Sequence, residues 1–297
     1  MKRTYVVTGG SGNTGKVVAN ELLKAGQHVK VIGREAAKLS ELEKAGAELL
    51  IGDVNDETFL KKAFEGADGV YLMIAPPYQV DDIQSAYKAV SEKYLAAVKA
   101  NDIKNIVWLS SIGVHDRGTK SIIQGLADME VLWSKEEGRN IRFLRPTYFM
   151  ENLLWQVGNI KQMGIMGTPI KGDLSYPFVA TKDIGARAAQ RLLNLDFNGV
   201  DYEYLLGPKN YSYNEATELI GKAIGKADLK YVEFPYGDAE NAMQGMGMSK
   251  DAATRMVQLA KDMNEGSVLK EYKRTPENST PTTLEEFANT FSYVYNM

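Results

Sequence analysis

Thr8-Gly9-Gly10-Ser11-Gly12-Asn13-Thr14-Gly15 follows directly on the apolar run Tyr5-Val6-Val7 and opens a stretch with helical periodicity. A strand that turns sharply into a helix through glycines makes a phosphate cradle. Gly9 permits the tight turn, Gly12 lets the main chain approach a diphosphate, and Gly15 lets helix and strand pack closely. The unpaired N–H groups of the first helical turn, Asn13 and Thr14 among them, then face the anion together with the positive end of the helix dipole. The spacing Gly9-x-x-Gly12-x-x-Gly15 departs from the commoner G-x-G-x-x-G, so its position after the first strand carries the reading. A nucleotide-triphosphate loop fits less well. Gly10-x-x-x-x-Gly15-Lys16 matches most of it, but Val17 stands where a Ser or Thr hydroxyl would hold magnesium.

Working outward, apolar runs of strand length fall at residues 3–8, 28–32, 47–51, 69–74, 105–110 and 142–145. Between them lie segments of helical pattern at 14–25, 36–45, 56–65, 81–100 and 122–135, each long enough to cross over a sheet. The alternation predicts an α/β fold, a Rossmann-type doubly wound parallel sheet with ligands at the carboxyl ends of its strands. Gly26, Gly46 and Gly66 follow three of the helical segments as stop signals. Beyond Pro146 the rhythm loosens, then a helix at 181–193 and a strand at 202–206 return to it. The reading therefore expects a dinucleotide-binding unit over residues 1–150, rejoined by about 178–206, with 151–177 and 207–297 as a smaller, mostly helical region covering the substrate cleft.

Composition narrows the function. The chain has 297 residues, 44% of them apolar, and no cysteine, which excludes thiolate nucleophiles, cysteine metal sites and disulfides and suits a reducing compartment. A net charge of −3, with the basic stretch 270–274 interrupted by Glu271, speaks against nucleic acid. His28 and His115 are too far apart in sequence to suggest a metal site, and no metal is expected. No apolar run is long enough to span a membrane, and residues 1–3 lead into a strand, so the expected location is the cytoplasm.

The second strand ends in Gly33-Arg34, where an NAD-binding pocket would have a carboxylate. Arg34, with Lys38 on the same helical face, suits a 2′-phosphate and favours NADP(H) over NAD(H). Glu35 reads either as turned outward or as a displaced ribose ligand. Asp53-Val54 follows the third strand and is placed to meet adenine, although Asp53 or Asn55 reads equally as a helix cap. Ile74-Ala75-Pro76 ends the fourth strand, small and rigid enough to lie over diphosphate and ribose.

These residues resemble the NmrA-like family of atypical short-chain dehydrogenases/reductases. The likeness rests on Gly9, Gly12, Gly15, Arg34 and Asp53, and on the blocks Leu144-Arg145-Pro146-Thr147-Tyr148-Phe149-Met150-Glu151-Asn152, Val179-Ala180-Thr181-Lys182-Asp183-Ile184-Gly185 and Tyr202-Glu203-Tyr204-Leu205-Leu206-Gly207-Pro208. The resemblance implies a Rossmann domain carrying NADP(H) and a small C-terminal roof. It includes reductases of quinones and other conjugated electrophiles, and also dinucleotide-binding regulators that act on a protein partner without chemistry.

The chain departs from ordinary short-chain dehydrogenases, whose Tyr-x-x-x-Lys pair exchanges a proton with substrate oxygen. None of its 16 tyrosines has a lysine four residues later. Related atypical reductases place a lysine four residues before a glutamate; if Glu130 is that glutamate, the position holds Leu126. Hydride transfer to a quinone-like acceptor tolerates this, because the developing charge spreads and solvent can protonate it. Ser110, Ser111 and Tyr148 are the candidate catalytic residues, and His115, Tyr148, Asn152 and Tyr176 the candidate substrate contacts. Ser111 reads also as a turn residue, and Tyr148 and Asn152 equally as packing or capping groups. Met243, Met246, Met248, Met256 and Met263 read as core filling or as an adaptable apolar roof. The expected protein is an NADPH-dependent oxidoreductase for a small conjugated acceptor, with a redox-sensing regulator as the alternative.

Overall fold

The computed structural model describes residues 2–270 and 272–297; Met1 and Glu271, the latter inside the basic stretch, lie outside the described residues. The first strand, β1 (Thr4–Val7), leads through the glycine turn into α1 (Asn13–Lys24). There follow β2 (His28–Gly33), a 3-10 turn at Ala36–Leu39, α2 (Ser40–Lys44), β3 (Glu48–Ile51), α3 (Glu57–Ala63) and β4 (Gly69–Leu72). Then come α4 (Ile83–Ala100), β5 (Asn105–Leu109), α5 (Gln124–Trp133) and β6 (Asn140–Pro146).

After β6 the chain forms β7 (Tyr148–Phe149), a 3-10 helix at Met150–Trp155, α6 (Gln156–Met163), β8 (Ile165–Thr168), β9 (Tyr176–Val179) and α7 (Thr181–Asn194). It closes with β10 (Val200–Leu205), β11 (Asn210–Tyr211), α8 (Tyr213–Ala223), β12 (Lys230–Glu233), α9 (Tyr236–Gly245), α10 (Lys250–Asn264) and α11 (Leu284–Asn296).

Seven parallel strands form the main sheet in the order β10-β6-β5-β4-β1-β2-β3. The chain runs outward from β1 to β3, then restarts on the other side of β1 at β4, so a crevice opens between the carboxyl ends of those two strands. Side-chain alternation divides the core. Tyr5, Val7, Val31, Tyr71 and Val107 pack with Val18 and Leu22 of α1 and Ile184 and Leu192 of α7. Val6, Ile32, Val70, Ile106 and Trp108 pack on the opposite face with Leu60 of α3, Tyr94 and Val98 of α4 and Trp133 of α5. Both faces are covered, which is why these strands read as continuous apolar runs. The strand expected at 202–206 does rejoin the sheet, as the edge strand β10 beside β6.

A third cluster fills the C-terminal half around Tyr176, Phe178, Tyr213, Ile220, Leu284 and Phe291. It includes two small sheets that the sequence reading did not anticipate, β11-β9-β7 and β12-β8. Strands as short as two residues, β7 and β11, carry no periodicity to read. Among the described residues no helix is long and apolar enough to cross a membrane.

Candidate functional site

Gly9 adopts a left-handed conformation, φ +65°, and its carbonyl accepts the Gly12 N–H at 2.9 Å. A Cβ on Gly15 would stand 2.3 Å from that same carbonyl oxygen and 2.9 Å from the Thr8 oxygen, so α1 sits where only glycine allows it. Gly10 has its own reason, since a Cβ there would meet Val31 Cγ1 at 1.9 Å. Gly12 caps α1 without a side-chain hydrogen bond, which leaves the Asn13 and Thr14 amides for an outside acceptor. The Thr14 hydroxyl itself accepts from Tyr71 Oη at 2.9 Å, pinning α1 to β4.

In front of this turn lies a groove of about 580 Å³. Gly9, Ser11 and Gly12 form its floor, Arg34, Asp53 and Val54 one end, and Ile74, Ala75 and Pro76 the opposite wall. The cradle, the open amides and Arg34, the one cation among the described residues that line it, suit a dinucleotide. Arg34 is exposed and makes no ion pair among the described residues. Lys38 does not line the groove. Residues 36–39 form a 3-10 turn with three residues per turn, so Lys38 meets Glu35 at 2.6 Å instead of sharing a face with Arg34. Glu35 likewise stays outside, held below the ordinary carboxylate value by Lys38. Asp53 accepts from the Asn55 amide at 2.8 Å, and the cap of α3 is Asp56, which accepts from Phe59 N at 3.0 Å. Neither residue proposed as that cap serves.

Beyond the groove lies a smaller cavity of about 200 Å³, and Pro76 and Tyr78 line both. Its walls include Tyr87, Ile112, Ile122, Leu126, Thr147, Trp155, Leu259 and Leu269, and no charged side chain among the described residues lines it. Ser111, Tyr148, Asn152 and Tyr176 all reach it. Of the five methionines, Met256 and Met263 reach it from α10, with Leu259 between them on one helical face. Leu126 presents hydrocarbon to this space.

Tyr148 Oη accepts from Tyr213 Oη at 2.8 Å. Burial pushes the Tyr148 phenol above its ordinary value, opposed by hydrogen bonds from Tyr213 and Asn152. With both incoming bonds from donors, Tyr148 keeps its own proton for a group in the cavity. Tyr213 also lies near Tyr176, but its one proton is directed to Tyr148, and Tyr176 Oη is buried with no hydrogen-bond partner among the described residues.

Ser110 and His115 line neither cavity. Ser110 Oγ donates to Glu130 Oε1 at 2.5 Å, and Arg145 binds both Glu130 oxygens, Nε at 3.0 Å and Nη2 at 2.5 Å. This buried triad ties β5, α5 and β6 together directly behind Ser111. No motif marks Tyr78 or Tyr213; the one signal for Tyr78 is its place after Pro76-Pro77, at the exit of the strand beside the crevice.

Comparison with known proteins agrees with this architecture. The profile of the NmrA-like family matches residues 1–288. The NAD(P)H azoreductase of Xenophilus azovorans is 28% identical over 254 residues, covering 86% of this chain and 85% of that protein. The NADPH-dependent quinone oxidoreductase of Escherichia coli, solved with NADPH, superposes with a TM-score of 0.80 at 20% identity, covering 99% of this chain and all of that one (100%). The triphenylmethane reductase of Citrobacter sp., complexed with NADP(H), gives 0.79 at 18% identity, over 97% of this chain and 99% of that one. At these identities the two superpositions speak for the fold.

Proposed function

We propose that this chain, which belongs to the NmrA-like family, is an NADPH-dependent oxidoreductase that reduces a small, neutral, conjugated acceptor such as a quinone. One observation carries the reading: the dinucleotide-shaped groove and the uncharged cavity share a wall, Pro76 and Tyr78, so two ligands meet there. The relatives named for azo, quinone and triphenylmethane reduction support it. Gly9, Gly12 and the amides of Asn13 and Thr14 hold the diphosphate, with Gly15 keeping α1 close. Arg34 pairs with the 2′-phosphate, Asp53 and Val54 meet the adenine, and Ile74-Ala75-Pro76 straps the ribose. Bound there, the reduced nicotinamide supplies hydride.

The overall change is acceptor plus NADPH plus one proton, giving the two-electron-reduced acceptor and NADP⁺. Tyr148 donates to the oxygen on which negative charge develops, and raised by burial it remains protonated at neutral pH. Ser111, Asn152 and Tyr176 line the space around the acceptor. Ser110, bound to Glu130, acts through position by fixing the end of β5. No lysine is required, because a delocalised product anion is weakly basic and water completes protonation. A sensor without turnover, the competing role, has no use for an apolar cavity against the groove. The cysteine-free composition suits a reducing compartment, for which we propose the cytoplasm.

The test follows nicotinamide absorbance while protein and NADPH meet paired quinones, each with and without a sulfonate. Neutral quinones are expected to consume NADPH at least about tenfold faster than their sulfonated partners, because the cavity offers nothing to pair with a buried charge. Binding of NADPH without consumption by any acceptor would contradict the proposal.

A further inference from the structure

Tyr78 stands at the junction of the two cavities, lining both, and its hydroxyl has no hydrogen-bond partner among the described residues. Its position is nevertheless fixed. The ring packs edge-on against Trp155 at 6.3 Å and 77°, the amide donates to Pro76 O at 3.0 Å, and the carbonyl accepts from Ser249 N at 2.8 Å. The last bond ties the loop to the cap of α10, whose next turn supplies Met256 and Leu259 to the cavity. Asp251 repeats the tie by accepting from Ile83 N at 3.0 Å. A rigidly mounted, half-buried phenol with an unspent proton is a directed donor.

Tyr148 is the second such phenol. It receives bonds from Tyr213 and Asn152, so its proton too is available to the cavity. The other polar groups around the space are the Ser111 and Thr147 hydroxyls, the Asn152 amide, the Trp155 indole and the phenols of Tyr87 and Tyr176, and none is charged.

Resting on the reductase reading, we infer that Tyr78 and Tyr148 form a two-point clamp that selects acceptors with hydrogen-bond-accepting atoms at two positions of one planar frame, para-quinones above single ketones. A dinucleotide held in the groove would supply hydride across the wall that Tyr78 shares with the cavity; the proton balancing it comes from Tyr148 and is replaced from water. Burial, with Tyr148 nearby, pushes the Tyr78 phenol up to about 12, so it stays a donor through the neutral range.

The experiment measures binding of 1,4-naphthoquinone and of 1-tetralone, bicyclic probes of matched size with two carbonyl oxygens and one, to the NADP⁺ complex by quenching of tryptophan fluorescence. Tyr78→Phe is expected to weaken the quinone about tenfold, the worth of one hydrogen bond, and to leave 1-tetralone and NADP⁺ affinity unchanged. Tyr148→Phe is expected to weaken both probes. An equal loss for both probes in Tyr78→Phe would make the ring a mere wall, and no loss for either, or no binding of either probe to the wild type, would also overturn the clamp. Because the readout is binding, absence of turnover alone would refute the reductase reading and leave the clamp standing.

Discussion

Glu130 and Arg145 meet inside the protein with side-chain exposures of 2% and 8%, and Ser110 donates to the same carboxylate. Two charges removed from water depend on each other: the pair's net worth is modest, but either member alone is costly. Glu130→Ala is therefore expected to lower unfolding free energy by about 3–5 kcal/mol in urea titration, whereas a surface pair such as Lys38 and Glu35 would contribute about 0–1 kcal/mol. The sequence made Glu130 visible only as a partner for a lysine that is not there. Its actual partner, Arg145, lies on β6 while Glu130 lies on α5, and only the fold joins them. Gly15 was legible for the opposite reason. Its constraint comes from Gly9, six positions away in the same turn, so local spacing states the whole requirement.

Helix α7 shows how one element can depend on another for its end. Its cap residue, Ala180, offers no side-chain hydrogen bond. Glu151, from the 3-10 helix after β7, supplies it instead: Thr181 N donates to both carboxylate oxygens at 3.1 and 3.0 Å, and Thr181 Oγ1 donates at 2.5 Å. Burial nonetheless raises Glu151 above its ordinary value of 4.5, and the bonds from Thr181 only partly oppose this. A carboxyl whose folded value is raised adds its stability in full below the unfolded value and loses it as pH rises through the folded one. Glu151→Gln removes that titration. The stability of the variant relative to wild type is expected to rise as pH increases above the ordinary carboxylate value of 4.5, in urea unfolding; a flat difference would show that folding does not raise Glu151. At this scale the sequence supplied the long helices and the sheet strands, whose periodicity spans several turns or residues. It missed the pair of small sheets and misjudged 36–39, where four residues in a 3-10 turn redirected Lys38 toward Glu35.

Across the whole molecule, legibility follows sequence distance. The groove is built at the ends of β1, β2, β3 and β4, in the first 94 residues, and its glycines, Arg34 and Asp53 announce it. The acceptor cavity draws on the loop after β4, on α5, on the segment after β6 and on α10, so that Tyr78, Leu126, Tyr148 and Met263 become neighbours only through folding. Tyr148 and Asn152 were readable as candidates from their block, but their polarity comes from Tyr213, which no motif marked. The two cavities depend on one premise, that a 2′-phosphorylated dinucleotide lies across the switch between β1 and β4. Isothermal titration of the wild-type protein and of Arg34→Glu with NADPH and with NADH tests it directly. The expected result is tighter binding of NADPH than NADH by wild type, with Arg34→Glu losing at least about tenfold for NADPH and little for NADH. Failure of the wild type to bind either nucleotide would contradict the account.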